Sequence, residues 1–207
     1  MKKSIIKRLF IKLSKVLGYE IIDQNDFNSP TLQKDLNEDL SIINDKSIIL
    51  PLGEVKITKK VKSVLIIFRT NTDVEIWDQN KKRLFQEPKI EYALRALNSL
   101  IKSINFSKTK YPNIKFNMIV VDDKSRDENL NKLKKLIDES GLDISINALN
   151  HDKYKEKIKK QKNDQTFSNL ASLLQSFELG KKHGEDLVFF VEDDYLHFEP
   201  MMEEMIA

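Results

Sequence analysis

Phe116-Asn117-Met118-Ile119-Val120-Val121-Asp122-Asp123-Lys124-Ser125 is the stretch that decides the fold: a branched, largely apolar run that empties into two carboxylates, a cation and a hydroxyl. A run this apolar, without alternation, reads as a strand buried on both faces of a sheet. Val64–Phe68 (VLIIF) is a second such run upstream, and Leu187–Val191 (LVFFV) a third downstream, ending on Glu192-Asp193-Asp194. Ile144–Leu149 is a shorter strand between them. The intervening segments change period. Ile90, Ala93, Leu94, Leu97, Leu100, Ile101 and Ile104 fall on one helical face, and Leu130, Leu133, Leu136 and Ile137 mark a helix closed by Gly141. Phe167, Leu170, Ala171, Leu174 and Phe177 stripe a third helix that stops near Gly184 and is expected to form core; Pro200 opens another. This alternation predicts an α/β fold, a mostly parallel sheet with helices on both faces. Ligands in such sheets sit beyond the carboxyl ends of the strands.

Composition narrows the chemistry. A chain of 207 residues is length for one domain with an appendage. Apolar residues at 40% allow a core beside a surface fed by 32% charged residues. Cysteine is absent, which excludes a disulfide scaffold, a thiol nucleophile and a thiolate zinc site. Five glycines and five prolines are too few for a collagenous chain or a Gly-rich phosphate loop. No apolar run approaches the roughly 18–20 residues that span a bilayer.

The net charge of +3 is unevenly placed. Residues 1–22 hold six basic side chains (Lys2, Lys3, Lys7, Arg8, Lys12, Lys15) against Glu20, a local charge of +5, so the remainder is net −2. Only five basic residues are arginine, and nucleic-acid binding is not expected. In the arm, Ile5, Ile6, Leu9, Phe10, Leu13, Val16 and Leu17 recur at helical spacing between the lysines, and Gly18 follows as a cap. Lys7, Arg8 and Lys12 interrupt what a signal peptide would need. The arm reads as a basic amphipathic helix for an anionic membrane surface, placing the protein on the cytoplasmic, inner face of the membrane; packing on the chain's own body is the alternative. Residues 23–60 read as a linker, with a short hairpin of Ser47–Leu50 and Val55–Thr58 around Pro51-Leu52-Gly53-Glu54. Residues 61–207 form the α/β domain.

Two acidic clusters at one edge of a sheet repel each other and lose hydration when buried. A divalent cation or a hydrogen-bonding ligand between them relieves that cost. Carboxylates without His or Cys partners suit Mg²⁺ or Mn²⁺, which bind through one or two carboxylates plus substrate phosphates.

The ordered pieces resemble the nucleotide-diphospho-sugar glycosyltransferases of A-type fold, family 2 in particular, over roughly residues 62–207. The pieces are Phe68-Arg69-Thr70-Asn71, a helix with Leu97-Asn98-Ser99-Leu100, Val120-Val121-Asp122-Asp123-Lys124-Ser125, and Phe189-Phe190-Val191-Glu192-Asp193-Asp194-Tyr195. The resemblance implies transfer of a sugar from a nucleotide-diphospho-sugar to an acceptor hydroxyl, with inversion, in envelope polysaccharide or glycolipid synthesis. It implies that Arg69 and Thr70 line the base pocket and that Asp123 accepts a pyrimidine ring N–H. Asp122, Ser125 and Asp193 complete the nucleotide contacts, and Asp194, with Glu192, holds the metal. Glu192 stands where the family has Asp, and Lys124 where Gly is common. The acceptor is expected to be lipid-linked or a polysaccharide. The family's catalytic base lies further along, so the chain is expected to be the donor-binding part of a longer enzyme, with its base beyond Ala207.

Other residues carry weaker signals. His151–Lys162 (HDKYKEKIKKQK) holds six lysines above the same edge, either steering a diphosphate or simply solvated. Residues 71–89 are expected to form a lid, with Trp77 buried or stacked on a sugar and Arg83 near the diphosphate. Asn169 reaches the donor or serves as a cap; His197 would join the metal shell only if within reach. His151 and His183 are expected at the surface, and Glu203 and Glu204 on a solvated helix face. Two rivals remain. One is a non-catalytic membrane-surface binding module with an acidic ion site. The other is a receiver-type phosphoacceptor domain modified at Asp122 or Asp123.

Overall fold

The computed structural model describes residues 60–73, 87–158 and 164–206, the backbones of 46–49 and 53–56, and residues 10, 12–14 and 16–17. The chain divides into two units, Met1–Leu36 and Asn37–Ala207. Within the first, residues 10, 12–14 and 16 are helical, as the sequence predicts; the rest of the arm and residues 23–45 lie outside the described residues. The expected hairpin is present as β1 (Lys46–Ile49) and β2 (Gly53–Lys56), antiparallel, with Ile49 opposite Gly53.

The α/β unit follows the predicted alternation. Its strands are β3 (Ser63–Thr70), β4 (Lys115–Asp122), β5 (Asp143–Ala148) and β6 (Leu187–Glu192). Its helices are α1 (Lys89–Lys110), α2 (Asp127–Ser140), α3 (His151–Tyr154), α4 (Asp164–His183) and α5 (Met201–Ile206). All four strands pair in parallel, in the order β5-β4-β3-β6. The chain therefore works outward from β3 to β5, then returns to place β6 on the other side of β3. That reversal makes a topological switch point between β3 and β6. It also removes the receiver-domain rival, whose second and third strands flank the first. Here the strands flanking β3 are the second and the fourth of the sheet.

Strand alternation divides the core. Val64, Ile66 and Phe68 of β3 and Phe116, Met118 and Val120 of β4 face a cluster built from α1, α2 and α5. Leu65, Ile67, Ile119 and Val121 face the other way, with Leu179 of α4 against them. Burying both faces of β3 and β4 is what their unbroken apolar sequence required. α2 ends where predicted, on Gly141 at φ 66°, the left-handed conformation a helix C-terminus favours. Ser99 and Ser103 on α1 accept the backbone N–H groups of His197 and Met202, which anchors α5 (3.0 and 2.9 Å).

α4 meets its predicted packing only in part. Of the apolar stripe Ala171 is fully buried, beside the small and polar positions Ser172, Gln175, Ser176 and Gly180. Phe167, Leu170 and Leu174, partly buried, join Ala171 in a core cluster with Leu149, Tyr154 and Ile158, whereas Phe177 is 49% exposed, edge-on to Phe190 at 5.1 Å. The reason is close approach. A Cβ on Gly180 would lie 2.9 Å from the Phe190 ring, and one on Gly184 2.3 Å from Val188 and 2.6 Å from the Gly180 carbonyl oxygen. Gly180 and Gly184 thus let the C-terminal end of α4 approach the side chains of β6, and Phe177 is left at the surface.

Candidate functional site

The cleft lies over the carboxyl ends of β3, β4 and β6, at the switch point, and encloses about 520 Å³. Arg69, Thr70 and Asn71 line it from β3, Asp123 from β4, and Glu192, Asp193 and Asp194 from β6. Lys89, at the start of α1, and Asp164, Gln165, Ser168, Asn169 and Ser172, in the first turns of α4, complete it.

Register explains who meets whom. Arg69 and Glu192 are direct cross-strand partners, and by alternation both face α4. There the Arg69 guanidinium pairs with the Glu192 carboxylate and donates to Asn169 Oδ1 at 3.3 Å. One residue on, Thr70 and Asp193 turn to the opposite face, toward α1. Thr70 Oγ1 donates to Asp193 Oδ2 at 2.8 Å, the Asn71 N–H reaches the same oxygen at 3.3 Å, and Lys89 Nζ binds Oδ1 at 2.6 Å. Lys89 and Asp193 are nearly buried, at 12% and 9% side-chain exposure, so each charge depends on the other.

The turn after β4 is equally well tied. The Asp123 N–H continues the ladder to the Thr70 carbonyl, and its carboxylate is held from both sides. Asn71 Nδ2 donates to Oδ2 at 3.1 Å, while His151 Nε2 lies 2.6 Å from Oδ1. Lys124 occupies the left-handed region at φ 59°, which explains why a glycine suits this position. Asp122 and Ser125 do not line the cleft. Asp122 Oδ2 accepts the Ser125 N–H at 3.1 Å, and Ser125 Oγ accepts the Thr72 N–H at 3.0 Å. They shape the loop that carries Asn71. Asp122 Oδ1 is buried without a hydrogen-bond partner, and burial, opposed by the Ser125 bonds, raises the carboxyl above the ordinary aspartate range.

Asp194 is different. It lines the cleft, is exposed, and has no hydrogen bond or ion pair among the described residues. Among those residues no three His, Asp or Glu side chains gather as a ready-made metal cage. Asp164, at the start of α4, is likewise exposed and free at the cleft, and one or two such carboxylates beside substrate oxygens fit the way Mg²⁺ and Mn²⁺ are held.

Several sequence expectations are corrected here. His151 is not a surface residue: α3 turns it inward onto Asp123, at 15% side-chain exposure. α3 was hidden in the lysine-rich run, but Asn150 is its cap, accepting the Lys153 N–H at 3.1 Å, and Asn three residues ahead of that N–H was the legible signal. His197 stays out of the cleft; its ring packs against Phe189 at 6.2 Å, its Nε2 is buried without a partner, and burial lowers its pKa. Asn169 does face the cleft, through Arg69. Glu203 is not free in solvent but paired with Lys110. Trp77, Arg83 and Lys159–Lys162 lie outside the described residues.

Comparisons with known proteins are sparse. No family model and no curated protein matches the chain. The crystal structure of S. aureus TarS 1-349 matches over 69% of this chain and 31% of its own, at 21% identity and a TM-score of 0.38. That of S. aureus TarS matches over 69% and 19%, at 20% identity and a TM-score of 0.34. TarS is a glycosyltransferase, and the chain spans less than a third of either structure. Likeness this weak carries no argument, so the α/β assignment rests on the parallel sheet itself.

Proposed function

We propose that the cleft binds the nucleoside diphosphate of an activated sugar together with Mg²⁺ or Mn²⁺. In this reading the chain is the donor-binding part of a metal-dependent glycosyltransferase, with a lipid-linked or polysaccharide hydroxyl as acceptor. The observation that carries it is a charge imbalance at the switch point. Among the described residues, the cleft-lining acids Asp123, Asp164, Glu192, Asp193 and Asp194 meet two lining cations, Arg69 and Lys89, which are already engaged by Glu192 and Asp193, while His151 behind the lining holds Asp123. A diphosphate entering such walls is repelled unless a divalent ion accompanies it.

Each residue then has a distinct part. Asp194 offers its free carboxylate as the metal ligand, with Glu192 beside it. Asp123, fixed by Asn71 and His151, presents an immobilised acceptor to a ring N–H of the base. Arg69 and Thr70 wall the base side, and Asp193, neutralised by Lys89, holds the β3–β6 junction together. Bound there, a divalent ion would supply Lewis-acid stabilisation of the departing diphosphate. No residue of the cleft is assigned as the base that deprotonates the acceptor.

Calorimetric titration of UDP and GDP into the purified chain, with Mn²⁺ and then with EDTA, tests the reading. Binding of one nucleotide that disappears with EDTA is expected. Binding of Mn²⁺ without either nucleotide would favour the non-catalytic ion-site module. A folded chain that binds none of them would remove the donor-site reading for these residues.

A further inference from the structure

We infer that the N-terminal helical piece docks on an anionic lipid surface, lying in the headgroup region on the stripe Phe10, Leu13, Val16 and Leu17. These residues are 60%, 60%, 86% and 66% exposed, whereas Ser14 among them is 8% exposed. A helix built to face a core shows the reverse order. The piece is regular: the Leu17 N–H reaches the Leu13 carbonyl at 3.1 Å, and Ser14 Oγ donates to the Phe10 carbonyl at 2.9 Å. At about 100° per residue the four side chains fall within an arc of about 120°, one continuous apolar face. Large apolar side chains displayed together in this way mark a contact surface.

Charge selects the occupant. Residues 1–22 carry six basic groups and one acid, while the remainder of the chain is net negative. Two copies of such an arm repel each other, which disfavours a dimer through this stripe. An anionic leaflet satisfies both features at once, attracting the lysines and taking up the apolar face. Among the described residues no helix is long and apolar enough to cross a membrane. A single short anchor binds weakly, and its attachment therefore depends on anionic lipid and on salt.

Co-sedimentation of the full chain with vesicles tests this, using phosphatidylcholine alone and an equal mixture with phosphatidylglycerol. Partition into the anionic vesicles is expected to exceed the neutral ones by at least about tenfold and to fall with added salt. Leu13→Glu with Leu17→Glu, and separately Lys2, Lys3, Lys7 and Arg8 each to Gln, are expected to lower it by about tenfold. Val16→Ser is the milder variant should the double Glu change aggregate. Unchanged circular dichroism and melting confirm that each variant is folded. Equal partition into both vesicles, no binding by the folded chain, or binding indifferent to the stripe variants would overturn the inference. So would self-association without lipid that Leu13→Glu abolishes, since the stripe would then serve a second copy.

Discussion

The acids after β4 and the acids after β6 look alike as sequence, yet the fold treats them differently. After β4, Asp122 is consumed by the turn and Asp123 is clasped by Asn71 and His151. After β6, commitment differs residue by residue: Glu192 pairs with Arg69, Asp193 takes three donors, and Asp194 takes none. An acidic cluster is thus not a site merely by being acidic. Most of its members hold strand ends together, and the one left over is the one available to a ligand.

Replacing Asp193 with Ala should produce the largest loss. Lys89 would remain buried without its counter-charge, and unfolding in urea should show destabilisation of about 3–5 kcal/mol. Asp194→Asn should leave stability within about 0.5 kcal/mol while weakening Mn²⁺-dependent nucleotide binding by at least about tenfold, or about 1.4 kcal/mol. Equal damage to stability from both variants would erase the contrast between them.

A smaller effect is expected at Asp122, and it depends on pH. Its folded pKa is raised by burial, so the stability it contributes is full below the ordinary aspartate range and is lost as pH rises through the raised value. Asp122→Asn should accordingly stabilise the chain by about 1 kcal/mol near pH 8, with the gain vanishing below about pH 4. Melting curves across that interval would check it; a gain that persists in acid would mean that burial of charge is not the cause. Lys124→Gly should change stability least. Relief of the left-handed backbone, worth about 1–2 kcal/mol, is largely offset by the greater freedom of glycine when unfolded, leaving a gain under about 1 kcal/mol. Urea midpoints that move downward instead would show that the Lys124 side chain contributes a contact of its own.

Much of the scaffold was legible because its signals are local. The apolar runs of β3 and β4 mark strands buried on both faces, Gly141 marks a helix end, and the Phe116–Ser125 transition marks where chemistry begins. α4 was legible as a helix but only partly in its facing. Its apolar stripe promised a core contact and made it through Ala171, Phe167, Leu170 and Leu174, whereas Gly180 faces Phe190 and Val188 of β6 and Phe177 stays exposed. His151 was obscured by the lysines around it, since nothing local announces a partner 28 positions away.

Alone, the sequence determined the alternating α/β order, the sheet edge that carries the acids, and a basic, apolar-striped arm, because composition and period act over a few residues. The tertiary structure decided that β6 lies beside β3, that Arg69 therefore meets Glu192 and Thr70 meets Asp193, and that Asp194 alone of the acids at those two strand ends stays uncommitted. Cross-strand register and helix approach join residues more than a hundred positions apart, and the free or spent state of a carboxylate is settled only when its neighbours arrive.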